Sequence, residues 1–154
     1  MMDNKPAPEH IREKVLGTMP QKHPFRFVDA IRELSTEEIS GEYRVTGDEF
    51  FFPGHFPGRP TMPGVILIEA MAQVAVVALG IYETMVTGGD LNKVTLFTEC
   101  EIEFFNVVPP KSKILIHGKK IYFRRGKIKS KAWVTLEDGT LIARGNLAGI
   151  GAEV

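Results

Sequence analysis

The stretch from Val65 to Tyr82 constrains the fold more than any other part of the chain. It is apolar throughout except for one charged side chain, Glu69, and one amide, Gln73. Pro63 and Gly64 precede it, and Thr87-Gly88-Gly89-Asp90 follows shortly after. Proline costs nothing near a helix start, where its missing N–H would have no partner, and glycine is a common terminator. The pattern predicts one helix from Gly64 to about Val86. Being apolar nearly all round, that helix must be covered on most sides. A membrane span needs about 20 apolar residues with few or no charges, so Glu69 and Gln73 favour a helix buried in a soluble domain.

The covering must come from the rest of a 154-residue chain, a length suited to one domain with a substantial core. Residues 1–10, with two prolines among scattered charges, predict a flexible tail, which leaves 11–154 as the domain. Ile11–Met19 suits a short helix before Pro20. Phe25–Leu34 and Ile39–Val45 alternate as strands do. Beyond Lys93 everything reads as β: Cys100–Val108, Ser112–Arg124, Lys127–Glu137 and Thr140–Ile150, with turns at Gly126 and at Asp138-Gly139. One long buried helix against a mostly antiparallel sheet is an α+β layer arrangement.

Asp48–Gly64 fits neither pattern. Phe50, Phe51, Phe52 and Phe56 lie among Pro53, Pro57, Pro60 and Pro63, and repeated proline excludes a regular helix or a central strand. The segment is a stiff apolar loop, and it presents one imidazole, His55. Neutral imidazole is a competent base near pH 7, and apolar surroundings help to keep it neutral. Glu69 follows on the helix with no basic side chain between Arg59 and Lys93. A carboxyl buried without a partner keeps its proton to higher pH, which suits a general acid; the alternative is a Glu on the one wet stripe of the helix. Gln73, one turn on, shares its face and can bond the Glu69 carboxyl. The Gly64 N–H, at the open start of the helix, can donate to an oxyanion. Base, acid and oxyanion donor together suit proton abstraction beside a carbonyl.

Lys+Arg and Asp+Glu number 19 each, which argues against a general nucleic-acid binder. The basic residues nevertheless concentrate at Lys119, Lys120, Arg124, Arg125, Lys127, Lys129 and Lys131, with no acidic residue among them. This is either a solvated sheet edge or a dock for an acidic partner. Cys100 stands alone, so no intrachain disulfide is available and a reducing cytoplasm is expected. The polar N-terminus lacks the apolar core of a signal peptide. No spacing of His, Cys, Asp and Glu suggests a metal site, and no glycine-rich nucleotide loop follows a strand.

The run Gly54-His55-Phe56-Pro57-Gly58-Arg59-Pro60-Thr61-Met62-Pro63-Gly64-Val65, followed by Ile68-Glu69-Ala70-Met71-Ala72-Gln73, resembles the signature of the 3-hydroxyacyl-[acyl-carrier-protein] dehydratases of fatty acid synthesis. The resemblance extends from about Met19 to Ile150. It implies a hot-dog fold, a curved antiparallel sheet wrapped around the long helix. It also implies a homodimer, which such proteins often assemble further into a hexamer, with His55 of one chain facing Glu69 of the other. His55 and Glu69 are then the catalytic pair, and Gly64, Gln73, Phe56 and Thr61 serve the oxyanion and the substrate. No cofactor is implied. The implied partner is an acyl carrier protein bearing a phosphopantetheine-linked acyl chain, and the candidates to dock it are Arg59 and, from the basic run, Lys119, Lys120, Arg124, Arg125 and Lys127.

Two segments depart from the family pattern: Pro20-Gln21-Lys22-His23-Pro24-Phe25, and Glu101-Ile102-Glu103-Phe104-Phe105-Asn106 where a basic strand is usual. They leave open a dehydratase of a polyene or polyketide pathway. Such a fold also hosts acyl thioesterases, against which the Gly54–Gln73 motif speaks, and a non-catalytic acyl-binding subunit would have no need of both His55 and Glu69.

Overall fold

The computed structural model describes residues 4–154. Helix α1 (Glu9–Thr18) starts two residues earlier than expected, after Pro8. Residues 1–3 of the expected flexible tail lie outside the described residues. Its later part is held: Ala7 is buried, its N–H donates to the Leu34 carbonyl at 2.7 Å, and Arg12 donates to the carbonyls of Ala7 and Ile31. The chain is therefore anchored from Ala7 onward.

Six strands follow: β1 (Ala30–Leu34), β2 (Glu38–Arg44), β3 (Val94–Phe104), β4 (Lys113–Arg124), β5 (Lys127–Leu136) and β6 (Leu141–Ala152). They form one antiparallel sheet in the order β1-β2-β4-β5-β6-β3. Register shifts in four of the five pairings are the irregularities that bend a sheet. Arg125 and Gly126 alone join β4 to β5, both with positive φ (53° and 75°), as a two-residue hairpin turn requires. β1 is shorter than the predicted Phe25–Leu34, and β3 begins at Val94 rather than Cys100.

The sheet wraps the central helix, Gly64–Thr87. The helix comprises α2 (Gly64–Ala72), a π-helical segment (Gln73–Ala78) and α3 (Leu79–Thr87), closed by Gly88 at φ 74°. By length and composition it would pass for a membrane span. Its middle, however, is enclosed by the sheet: every residue from Gln73 to Ala78 is buried, against Ile114, Ile116, Ile128, Ala132 and Val134. Each fully buried branched side chain of this kind contributes about 1.5–3 kcal/mol. Helix and sheet approach closely at Gly118, where an added Cβ would stand 2.7 Å from that of Ala75. The buried Ser130 hydroxyl donates to the Ala75 carbonyl at 2.7 Å, tying the π-helical segment to β5. This is the hot-dog arrangement that the resemblance implied.

Candidate active site

The Pro/Gly loop is stiffened by its own backbone. Phe56 and Arg59 exchange N–H···O bonds at 3.1 and 2.8 Å, closing the Pro57-Gly58 turn. The Thr61 N–H donates to the His55 carbonyl at 2.9 Å, and His55 Nδ1 lies 2.9 Å from the Thr61 carbonyl oxygen. A carbonyl can only accept, so Nδ1 carries the proton and Nε2 presents its lone pair. The Phe56 ring stacks on the imidazole at 4.0 Å, and buried Phe52 anchors the loop from beneath. Upstream, the Glu49 carboxylate accepts from the Thr46 and Gly47 N–H groups and the Tyr43 hydroxyl. Burial acts to raise its pKa, but these donors outweigh that and hold it below the usual range.

Glu69 is half-buried and has no basic side chain within ion-pair distance among the described residues. Desolvation pushes its pKa up, and the one hydrogen bond it receives, from Gln73 Nε2 to Oε2 at 2.9 Å, only partly offsets this. Gln73 itself is fully buried. Its Oε1 accepts from the Phe27 N–H at 2.8 Å, which fixes the amide orientation, since an N–H can only donate. Its Nε2 must then face the Phe25 carbonyl and Glu69. These bonds explain the shortened β1, because Phe25 and Phe27 give their backbone groups to the helix.

At the start of the helix the Ile66 and Leu67 N–H groups bond the Pro63 carbonyl. The N–H groups of Gly64 and Val65 find no backbone acceptor among the described residues. The Phe104 ring occupies the space beside Gly64, 3.1 Å from where a Cβ would sit, so no other residue fits there without displacing it. Around this end of the helix, Phe56, Val65, Phe104, Phe105 and Val107 are exposed apolar side chains.

Known proteins share both the sequence pattern and the fold. A FabA-like domain matches residues 19–147. The 3-hydroxyacyl-[acyl-carrier-protein] dehydratase FabZ of Syntrophobacter fumaroxidans is 36% identical over 139 residues, covering 90% of this chain and 92% of its own. The enzyme of the same name from Herpetosiphon aurantiacus is 37% identical, covering 88% and 93%. The chain belongs to the FabZ-type, FabA-like family. Solved structures agree on the fold. The dehydratase heterocomplex ApeI:P from Xenorhabdus doucetiae superposes with a TM-score of 0.75 at 15% identity, over 90% of this chain and 91% of that one. Zebra fish thioesterase superfamily member 2 gives 0.63 at 14% identity, over 93% and 96%.

The basic residues expected to dock a carrier divide within this FabZ-type chain. Lys119, Arg124 and Arg125 are exposed, as is Arg59 on the loop. Lys127 is half-buried, 3.8 Å from the Glu99 carboxylate. Lys120 must be withdrawn from the set, because its side chain turns inward to Glu83 at 2.6 Å and Glu37 at 3.3 Å. Burial acts against its ammonium, but the two carboxylates outweigh it and raise the pKa. Sequence reasoning misses Glu83, Phe27 and Phe104. Glu83 stands on the predicted helix as a second acid in an apolar setting, and that is the available signal. The other two act through long-range contacts that no local pattern announces.

Proposed function

We infer that this chain catalyses dehydration of 3-hydroxyacyl-[acyl-carrier-protein] to the 2-enoyl product in fatty acid biosynthesis, with His55 and Glu69 as the acid/base pair. The observation that carries the reading is the paired preparation of these two side chains. His55 is held with Nε2 free to take a proton, and Glu69 is desolvated so that it keeps one to give. His55 Nε2 removes the α-proton while the thioester oxygen accepts from the Gly64 N–H, where the open helix start favours developing negative charge. The proton on Glu69 passes to the β-hydroxyl, which departs as water as the C2–C3 double bond forms. Gln73 keeps the Glu69 carboxyl aimed, and Phe56 supports the imidazole ring. Hydration in reverse uses the same groups, and no cofactor enters.

The site is completed by a second copy of the chain in a homodimer, with His55 of one protomer facing Glu69 of the other. The exposed apolar collar around the helix start supports this, because a patch of that kind on a soluble protein marks an interaction surface. Assembly into a trimer of dimers is compatible with the same surface. Arg59, Lys119, Arg124 and Arg125 are the exposed cations available to an acidic carrier, and the enzyme works in the cytoplasm.

The test is turnover of purified protein on a 3-hydroxyacyl-[acyl-carrier-protein], read as the mass of the carrier species. Wild type should remove one water, and His55→Ala and Glu69→Gln should each lose about 10²–10⁴-fold in kcat/KM. A folded dimer that removes no water from any substrate, or that releases free carrier thiol instead, would refute the assignment.

A further inference from the structure

If the dehydratase reading holds, the Gly64 N–H receives the thioester oxygen, and the accuracy of that donor bears on the rate. The local backbone does little to hold it. Glycine is the residue with the most conformational freedom, and Pro63 restricts φ only one position earlier. The N–H groups of Gly64 and Val65 have no backbone acceptor among the described residues. The restraint comes from a distant part of the chain. Cζ, Cε1 and Cε2 of Phe104 stand 3.1, 3.3 and 3.6 Å from where a Gly64 Cβ would be. The tip of the ring is therefore set against the glycine.

Phe104 is itself well placed to act as a stop. It pairs with Ala143 of β6, a core residue, which puts its side chain on the helix-facing side of the sheet. β3 is the sheet edge, yet this end of it is fastened. The Phe105 and Asn106 N–H groups donate to the Ile142 carbonyl at 2.8 and 3.4 Å. The Asn106 side-chain amide donates to the Leu141 carbonyl at 2.8 Å, and the Arg144 guanidinium lies over the Phe105 ring at 5.0 Å. The strand end is thus tied to β6 immediately after Phe104, and the ring inherits that rigidity. A phenyl ring offers no carbonyl-like acceptor, so it takes room from water beside Gly64 without competing for the N–H.

We propose that Phe104 is a positioning residue for the reaction: its ring holds Gly64 still and keeps water from one side of the oxyanion donor. A donor of this kind acts most strongly when it is aimed in advance and shielded from water. Losing one outright costs about 10²–10³-fold in kcat; Gly64 without its stop keeps the N–H but loses its aim, a smaller defect of about tenfold on the same scale. Charge grows on the thioester oxygen only toward the transition state, so the loss falls on kcat and leaves KM in place.

The experiment measures kcat and KM on a 3-hydroxyacyl carrier substrate for wild type, Phe104→Leu and Phe104→Met, with dimer content and urea midpoint checked for each. Leucine and methionine have similar apolar volume, but leucine stops short of Gly64 while methionine extends toward it. Phe104→Leu should lose about tenfold in kcat with KM within about twofold, and Phe104→Met should stay within about threefold of wild type. Gly64→Ala attacks the same contact from the other side, because its Cβ displaces the ring. The double variant Gly64→Ala/Phe104→Leu should therefore lose no more than the worse single one. Leu96→Ala removes a side chain of similar exposure, 45%, from the other end of β3, and should leave kcat within about twofold. Equal kcat in wild type and Phe104→Leu overturns the proposal, as do equal losses in the leucine and methionine variants, a rise in KM in place of a fall in kcat, or losses that multiply in the double variant. A Phe104→Leu chain that no longer dimerises also overturns it, since the ring then serves assembly. Absence of turnover in wild type removes the dehydratase reading and this proposal together; an active wild type matched by Phe104→Leu removes only this proposal.

Discussion

The central helix carries two glutamates in apolar surroundings, and the fold treats them in opposite ways. Glu83 has no exposed surface and sits 2.6 Å from the Lys120 ammonium. Glu69 is half-buried and receives only the neutral amide of Gln73. A carboxylate given a cation does structural service, here fastening the end of the helix to β4. A carboxyl given desolvation and a neutral donor holds its proton to higher pH than a free carboxyl does, which suits proton transfer. On one helix, the partner rather than the residue type separates architecture from chemistry.

The largest effect that bears on this contrast is on turnover. Glu69→Gln should lower kcat/KM by about 10³-fold, within the usual range for a general acid, whereas Glu83→Gln in folded protein should change it by less than about threefold. Comparable losses in both variants would dissolve the distinction. Stability should show the reverse order. Lys120→Ala leaves Glu83 buried without its cation and should cost about 3 kcal/mol in urea denaturation, while Lys119→Ala on the exposed face of the same strand stays within about 0.5 kcal/mol. Equal midpoints for these two lysine variants would mean that the Glu83–Lys120 pair holds nothing.

The smallest effect concerns pH. The folded-state pKa of Glu69 lies above its ordinary value, so the folded chain retains this proton to higher pH than the unfolded chain does. Stability from this site is therefore full below the unfolded pKa of about 4.3 and declines as pH rises through the folded value. Glu69→Gln, which cannot ionise, should melt higher than wild type at neutral pH, with the gap closing below about pH 4. A gap that widens on acidification would show that the carboxylate is stabilised after all.

Features encoded locally are legible in the sequence. Pro63-Gly64 and Gly88 bound the helix, and Gly126 and Asp138-Gly139 mark the turns of the last three strands, because helix ends and hairpins need particular backbone angles at particular residues. His55, Gly64, Glu69 and Gln73 stand out through the motif and through the isolation of one charge in an apolar run. The errors are long-range. The sequence pattern starts β3 six residues late because this is an edge strand exposed along most of its length, where alternation fades. Phe25–Asp29 loses its predicted strand to an amide on a distant helix. Lys120 looks like its neighbours in the basic run, and only the β4 pleat, which turns it toward Glu83, sets it apart.

The π-helical segment has a consequence for how the helix tolerates changes of length. Gln73, which aims Glu69, is its first residue, and Ala78 hands over to the α-helical turn that carries Glu83. The helix thus behaves as two cylinders that share an axis but not a phase. A π turn carries one residue more than an α turn, so removing a single residue from Gln73–Ala78 closes it to α-helix and leaves Glu83 facing Lys120. The irregular turn works as slack in the helix, absorbing a one-residue change of length without turning the two ends of the molecule against each other.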